Sequence, residues 1–158
     1  MIDILIRYRD RGIYLLHEFV AMPDHLHLML TPGPTKSLEK SMQMIKGGSS
    51  FEIHKQREQK MEIWQTGFYD WTIRDAGDWQ VKADYIRMNP VRAKLVEKME
   101  GWKFSSATGK FLLDPIPQNY SRLASGAKAP FSAAATPELK LRPPEESTER
   151  VEENKAHA

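Results

Sequence analysis

The sequence predicts an α+β chain, and three observations carry that expectation. Two apolar runs, IYLLHEFVA (13–21) and HLHLML (25–30), are separated only by Met22-Pro23-Asp24, close enough to pair as a hairpin. Segments with helical periodicity lie before and after them. Between these stretches stand Gly12, Thr31-Pro32-Gly33-Pro34 and Pro90, the residue types that end elements.

In order along the chain, residues 2–11 set Ile2, Leu5, Ile6 and Arg9 on one side at helical spacing, and Gly12 is placed to end that helix. The first strand is rich in β-formers, and the second closes at the Pro/Gly cluster 31–34. Ser37 then suits an N-cap, with Glu39 in the first turn facing the helix dipole. Leu38, Met42 and Ile45 follow at i, i+4 and i+7, so a helix begins near Leu38. Gly47-Gly48 is expected to interrupt or bend it before a continuation over 49–60 with Phe51 and Ile53 inward. The stretch IWQTGFYDWTIRD (63–75) reads as a turn around Gly67 and a short strand near 69–74. Gly77-Asp78 opens a third helix, 78–89, which must stop close to Pro90. Residues 91–108 read as a short helix or turn followed by WKFSSA.

With 158 residues the chain has room for one ordinary domain, expected over 1–120, plus a tail. Residues 121–158 are rich in Ala, Pro, Ser and Glu and poor in large apolar side chains, so a disordered tail is expected there. The absence of cysteine excludes disulfides and thiolate metal sites. No run of eighteen apolar residues and no basic-then-apolar leader is present, so the expectation is a cytoplasmic protein with no membrane partner. A net charge of +2 permits nucleic-acid binding but is too small to argue for it.

The chemistry is concentrated in a few polar residues. His25 and His27 interrupt an apolar strand, where an imidazole needs a partner or a metal. Residues i and i+2 of a strand share a face, roughly 6.5–7 Å apart, so both rings can converge on one ion while Leu26 and Leu28 face a core. A satisfied core histidine beside an exposed one is the more ordinary reading of a bare H-x-H, and two ligands do not complete a site. In DYIRMNP (84–90), Tyr85 and Asn89 share a helix face at i and i+4, offering a hydroxyl nucleophile beside an amide ligand. By itself that spacing is common, and packing of the ring with capping by the amide is its ordinary explanation. Lys46 before the glycine pair could reach phosphate, and Arg87, Arg92 and Lys94 form a basic cluster suited to DNA. Trp64, Phe68, Tyr69 and Trp71 could stack on unpaired bases or fill a core, and Tyr69 is a rival nucleophile without an amide one turn on.

Taken together, AMPDHLHLMLTP (21–32), MIKGGSSF (44–51), IWQTGFYDWTIRD (63–75), DYIRMNPVRAKLV (84–96) and WKFSS (102–106) resemble the REP-associated tyrosine transposases. These are a branch of the HUH single-tyrosine transposases of insertion sequences. The resemblance implies a ferredoxin-like antiparallel sheet with helices packed on it. Against that pattern the chain lacks the first strand and part of the first helix, so the histidine strand is expected to show an unpaired edge. The resemblance also implies roles. His25 and His27 become the HUH pair that, with Asn89, binds Mg²⁺ or Mn²⁺; a zinc site with a carboxylate is the other possibility. Tyr85 becomes the residue that attacks single-stranded DNA, leaving a 5′-phosphotyrosine and a free 3′-OH. The implied activity is nicking and rejoining of hairpin-bearing single strands such as REP palindromes, by a monomer or homodimer. The rival expectation is a domesticated or truncated protein that grips hairpin DNA without cutting it.

Overall fold

The computed structural model describes residues 1–57, 61–117 and 135–141. The α+β class is as the sequence predicts: the described residues form three α-helices, two short 3-10 turns and a three-stranded antiparallel sheet. The elements run α1 (Ile2–Asp10), β1 (Tyr14–Ala21), β2 (His25–Pro32), α2 (Leu38–Arg57), α3 (Ala76–Arg92) and β3 (Glu138–Lys140), with sheet order β1-β2-β3. Gly12 ends α1 with φ of 67°, a left-handed turn that a side chain would strain.

The β1–β2 hairpin sets the faces. Its register runs from Ala21↔Leu26 through Phe19↔Leu28 to Glu18↔Met29, then steps to Leu16↔Leu30 across a bulge. His17 is therefore the extra residue, and the bulge reverses the alternation of β1. Leu16 and Phe19 consequently share the face of Leu26, Leu28 and Leu30, buried with Leu5 of α1 and Met42 and Ile45 of α2. The opposite face carries Val20 and Met29, covered by Trp79, Ala83 and Ile86 of α3 together with Ile73. Both faces of the hairpin are thus packed, one by α1 and α2 and the other by α3.

Besides Phe51, expected inward but 67% exposed on α2, sequence and structure differ at four places. Helix α2 passes unbroken through Gly47-Gly48. At Gly48 the helix packs against α1 so closely that a Cβ would lie 2.6 Å from the Tyr8 hydroxyl, so here glycine permits an approach rather than a bend. Helix α3 continues through Pro90 to Arg92. Proline forfeits one hydrogen bond, but Pro90 is buried, and the amides of Ala93 and Leu95 bond the Asn89 and Pro90 carbonyls to finish the turn. Around 69–74 there is no continuous strand, only bridges of Tyr69 to Glu138 and Thr72 to Ala135.

The fourth difference matters most. Residues 135–141 fall in the expected tail, yet they pair with β2 at His25↔Lys140, Leu26↔Leu139 and His27↔Glu138, with a further bridge of Leu30 to Ala135. Leu139 is buried beside Leu26 in the main core. The alternation Glu138-Leu139-Lys140-Leu141 is a period-2 strand pattern set inside a polar stretch, and it supplies both a core residue and backbone partners. The remainder of the expected tail lies outside the described residues. The expected bare edge of the histidine strand is covered by this segment. The β1 edge is covered as well, since Ala21 N–H donates to the Phe104 carbonyl and Asp114 N–H to that of Leu16.

Candidate active site

The site lies on the face of the sheet beneath α3. The alternation of β2 sends His25 and His27 to that face, and their rings meet edge-on with centroids 4.7 Å apart. His25 is bordered by its neighbour, Nδ1 lying 2.6 Å from Asp24 Oδ1. Hydrogen bonding to His25 holds the Asp24 carboxyl below its usual range. His27 is buried, its Nδ1 facing Glu138 Oε2 at 3.7 Å across the β2–β3 pair. Burial, then the neighbouring His25, push its pKa down to about 4 against the opposing pull of Glu138. The ring is therefore neutral at pH 7, with a lone pair free to bind.

The phase of α3 follows from its apolar stripe. Trp79, Ala83 and Ile86 recur at i, i+4 and i+7 and point into the sheet. Tyr85, next to Ile86, falls at the edge of that stripe, 42% exposed, its ring centroid 5.4 Å from that of His27. Asn89 follows one turn later, part-buried and with no side-chain hydrogen bond among the described residues. Arg92 in the last turn sets its guanidinium carbon 5.2 Å from the Tyr85 ring centroid. A cavity of about 260 Å³ opens here, its wall including His27, Tyr85, Tyr69, Trp71, Lys82 and Glu138. His25 and Asn89 are not in that wall.

Other residues singled out from sequence are engaged elsewhere. Arg87 is ion-paired to the buried Glu18, whose second oxygen accepts from the Ser106 hydroxyl at 2.6 Å. Lys46 donates to the Gln65 carbonyl at 2.7 Å and to that of Gly67, and burial lowers its pKa. Both cations are thus spent on protein groups. Lys94 sits exposed just past α3, in a left-handed conformation with φ of 57°.

Could these residues hold a divalent ion? A metal-binding histidine usually gives its other ring nitrogen to a carboxylate, which fixes its orientation. His25 and His27 both have a carboxylate at Nδ1, and neither Nε2 makes a hydrogen bond among the described residues. No trio of His, Cys, Asp or Glu poised for a metal occurs among the described residues. A two-histidine site completed by an amide fits the donor set.

The family model for "Transposase IS200 like" matches residues 2–89, from α1 through Asn89. The chain belongs to the IS200-like transposases. It is similar to a REP-associated tyrosine transposase of Escherichia coli K12, 29% identical over 106 residues, covering 62% of this chain and 56% of the relative. It is also 30% identical over 95 residues to a Haemophilus influenzae protein assigned to the same class, covering 54% of each. The chain spans about half the length of the curated relatives it matches. No solved structure matches it. Within the IS200-like match lie His25, His27, Tyr85 and Asn89, whereas Glu138 and the rest of β3 lie beyond it. Sequence reasoning missed Glu138 and Lys82. Only the Glu-Leu-Lys-Leu alternation hinted at the former, and nothing local marked the latter.

Proposed function

We propose that this chain nicks and rejoins hairpin-bearing single-stranded DNA, with Tyr85 as the nucleophile. The observation that carries the reading is the meeting of Tyr85 with the histidine pair. Two elements some sixty positions apart bring a half-exposed phenol within 5.4 Å of the His27 ring at a cavity wall. In the reaction the Tyr85 oxygen bonds the scissile phosphorus and loses its proton, while the phosphorus–O3′ bond breaks. The products are a 5′-phosphotyrosine and a 3′-hydroxyl, and the reverse attack rejoins the strand. Tyrosine suits a reversible step because its aryl oxide is also a competent leaving group.

His25, His27 and Asn89 would hold the ion, magnesium or manganese, with the remaining positions left to oxygen donors. When bound, it would supply Lewis-acid polarisation of the phosphate. Arg92 sets a positive charge beside Tyr85, where negative charge gathers on the phosphate in the transition state. Tyr69 shares the cavity wall and is the residue to distinguish.

Incubation with a single-stranded hairpin oligonucleotide and Mn²⁺ should give a covalent protein–DNA adduct that survives denaturing gel electrophoresis. Tyr85→Phe should form none, whereas Tyr69→Phe should still form it. An adduct that persists in Tyr85→Phe, or none with the unaltered chain, overturns the proposal.

A further inference from the structure

Resting on the reading of Tyr85 as the attacking residue, we propose that Tyr69 and Trp71 form a stacking platform for single-stranded DNA. It seats one unpaired base beside the scissile phosphate. The 63–75 segment carries four aromatic rings, and the fold sorts them into two pairs. Trp64 and Phe68 pack against the main core, the Trp64 indole N–H donating to Ser49 Oγ at 2.9 Å. Tyr69 and Trp71 turn outward, 72% and 47% exposed, and both line the cavity that holds Tyr85. Being two residues apart on extended backbone, they share a side.

That backbone is clamped. Tyr69 N–H donates to the Glu138 carbonyl at 3.3 Å, Glu138 N–H returns to that of Tyr69 at 2.7 Å, and Thr136 N–H bonds the Trp71 carbonyl at 2.9 Å. A platform held in place loses little entropy when a ligand stacks on it. Large rings left in water forgo hydrophobic stabilisation until something covers them.

The surroundings select what that is. Lys82 Nζ lies 4.5 Å from the Trp71 ring centroid, Arg74 Cζ 5.5 Å from it, and Lys140 Nζ 5.5 Å from that of Tyr69. These cations lie over the ring faces, so a stacking base takes their place and the phosphates beside it pair with the displaced ammonium and guanidinium groups, an exchange that suits a nucleotide chain. Asp70 and Glu138, adjoining Tyr69, oppose a phosphate at the rings, whereas Lys82 and Tyr85 lie in the same wall, so the base stacks on the rings and its phosphate turns toward Lys82 and Tyr85. The volume of about 260 Å³ lies below the roughly 300–1,000 Å³ of sites for drug-sized ligands, which leaves room for a single base.

The test uses the whole chain and a hairpin oligonucleotide whose unpaired flank carries 2-aminopurine at each position in turn, with EDTA so that no chemistry intervenes. One flank position should be quenched on binding. The double variant Tyr69→Ala/Trp71→Ala should bind about 10-fold or more weakly and lose the quench. Trp71→Phe should retain most of the affinity, and Phe51→Ala, an exposed ring on α2 outside the cavity, should change nothing. An abasic site at the quenched position should weaken the unaltered chain equally and leave the double variant unaffected. Circular dichroism checks that each variant folds. The platform is overturned if the double variant binds as tightly as the unaltered chain, or if its loss is the same on a hairpin with no flank. An adduct formed without any dependence on Tyr69 and Trp71 defeats the platform alone. Quenching that depends on both rings, with no adduct in Mn²⁺, defeats the nicking reading alone.

Discussion

The two faces of the β1–β2 hairpin are built from alternate residues of the same strands, yet they do different work. Toward α1 and α2 the strands present Leu16, Phe19, Leu26, Leu28 and Leu30, all buried and all apolar. Toward α3 they present His17, Glu18 and His27 among Val20, Met22 and Met29. The apolar face supplies cohesion, which frees the other face to carry polar groups that cost stability. On the α3 side the buried His17 and Glu18 are matched by hydrogen bonds, whereas His27 has only Glu138 at 3.7 Å. His17 Nδ1 donates to the Asp114 carbonyl and Nε2 accepts from Thr31 Oγ1, the assignment that a neutral ring requires. Glu18 is held by Arg87 and Ser106.

The sharpest way to break this comparison is one substitution on each side of the sheet. Leu28→Ala should cost about 2–5 kcal/mol in urea denaturation, because a fully buried side chain leaves a cavity. Tyr85→Phe should leave the urea midpoint within about 0.5 kcal/mol while abolishing the adduct. If Tyr85→Phe unfolded the chain, the division of labour between the faces would fail.

Arg87→Ala tests whether the polar face is held together by its pairs. It strands a buried carboxylate, and with Arg87 partly exposed the expected loss is about 2 kcal/mol. Adding Glu18→Gln should restore part of that, whereas additive losses would show that the two side chains do not act as a pair.

Between pH 7 and 5, acidification should act mainly on the polar face. Burial lowers the pKa of His17, and that of His27 falls to about 4, so both take up protons more readily when unfolded. Their stabilising effect is complete above the ordinary histidine value of about 6.5 and is lost as pH falls below it. For His27 the window runs down to about 4, and between pH 7 and 5 the urea midpoint should fall by the equivalent of about 2 kcal/mol. A midpoint that rises on acidification contradicts the burial of both rings.

The smallest effect belongs to the apolar side. At Gly47 an added Cβ meets nothing within 4 Å, so Gly47→Ala should stabilise the chain by about 0.5–1 kcal/mol. At Gly48 the same change meets Tyr8, and that gain should vanish. Equal thermal shifts for the two variants would place α1 farther from α2 than it is here.

Much of the fold was legible because it is written in local periods. The strand alternation of β2 placed both histidines on one face and Leu26 and Leu28 on the other, and the helical period placed Asn89 one turn after Tyr85. Gly12, with its positive φ, ended α1 as its position suggested. Residues whose fate depends on a distant partner were not legible. Gly48 looked like a breaker because Tyr8, against which it packs, belongs to another helix. Arg87 and Lys46 looked like free cations because Glu18 and the 65–67 carbonyls are far away in sequence.

By itself, then, the sequence determined the types of α1, β1, β2, α2 and α3, the side of the sheet that the histidines and leucines of β2 take, and the i, i+4 spacing of Tyr85 and Asn89. Only tertiary structure decided that the histidine pair meets Tyr85 and that Glu138 reaches His27 from residues that read as tail. It also decided which two of four aromatic rings remain in water. The reason is physical: periodicity fixes direction within one element, whereas contact between elements depends on how their surfaces fill space together.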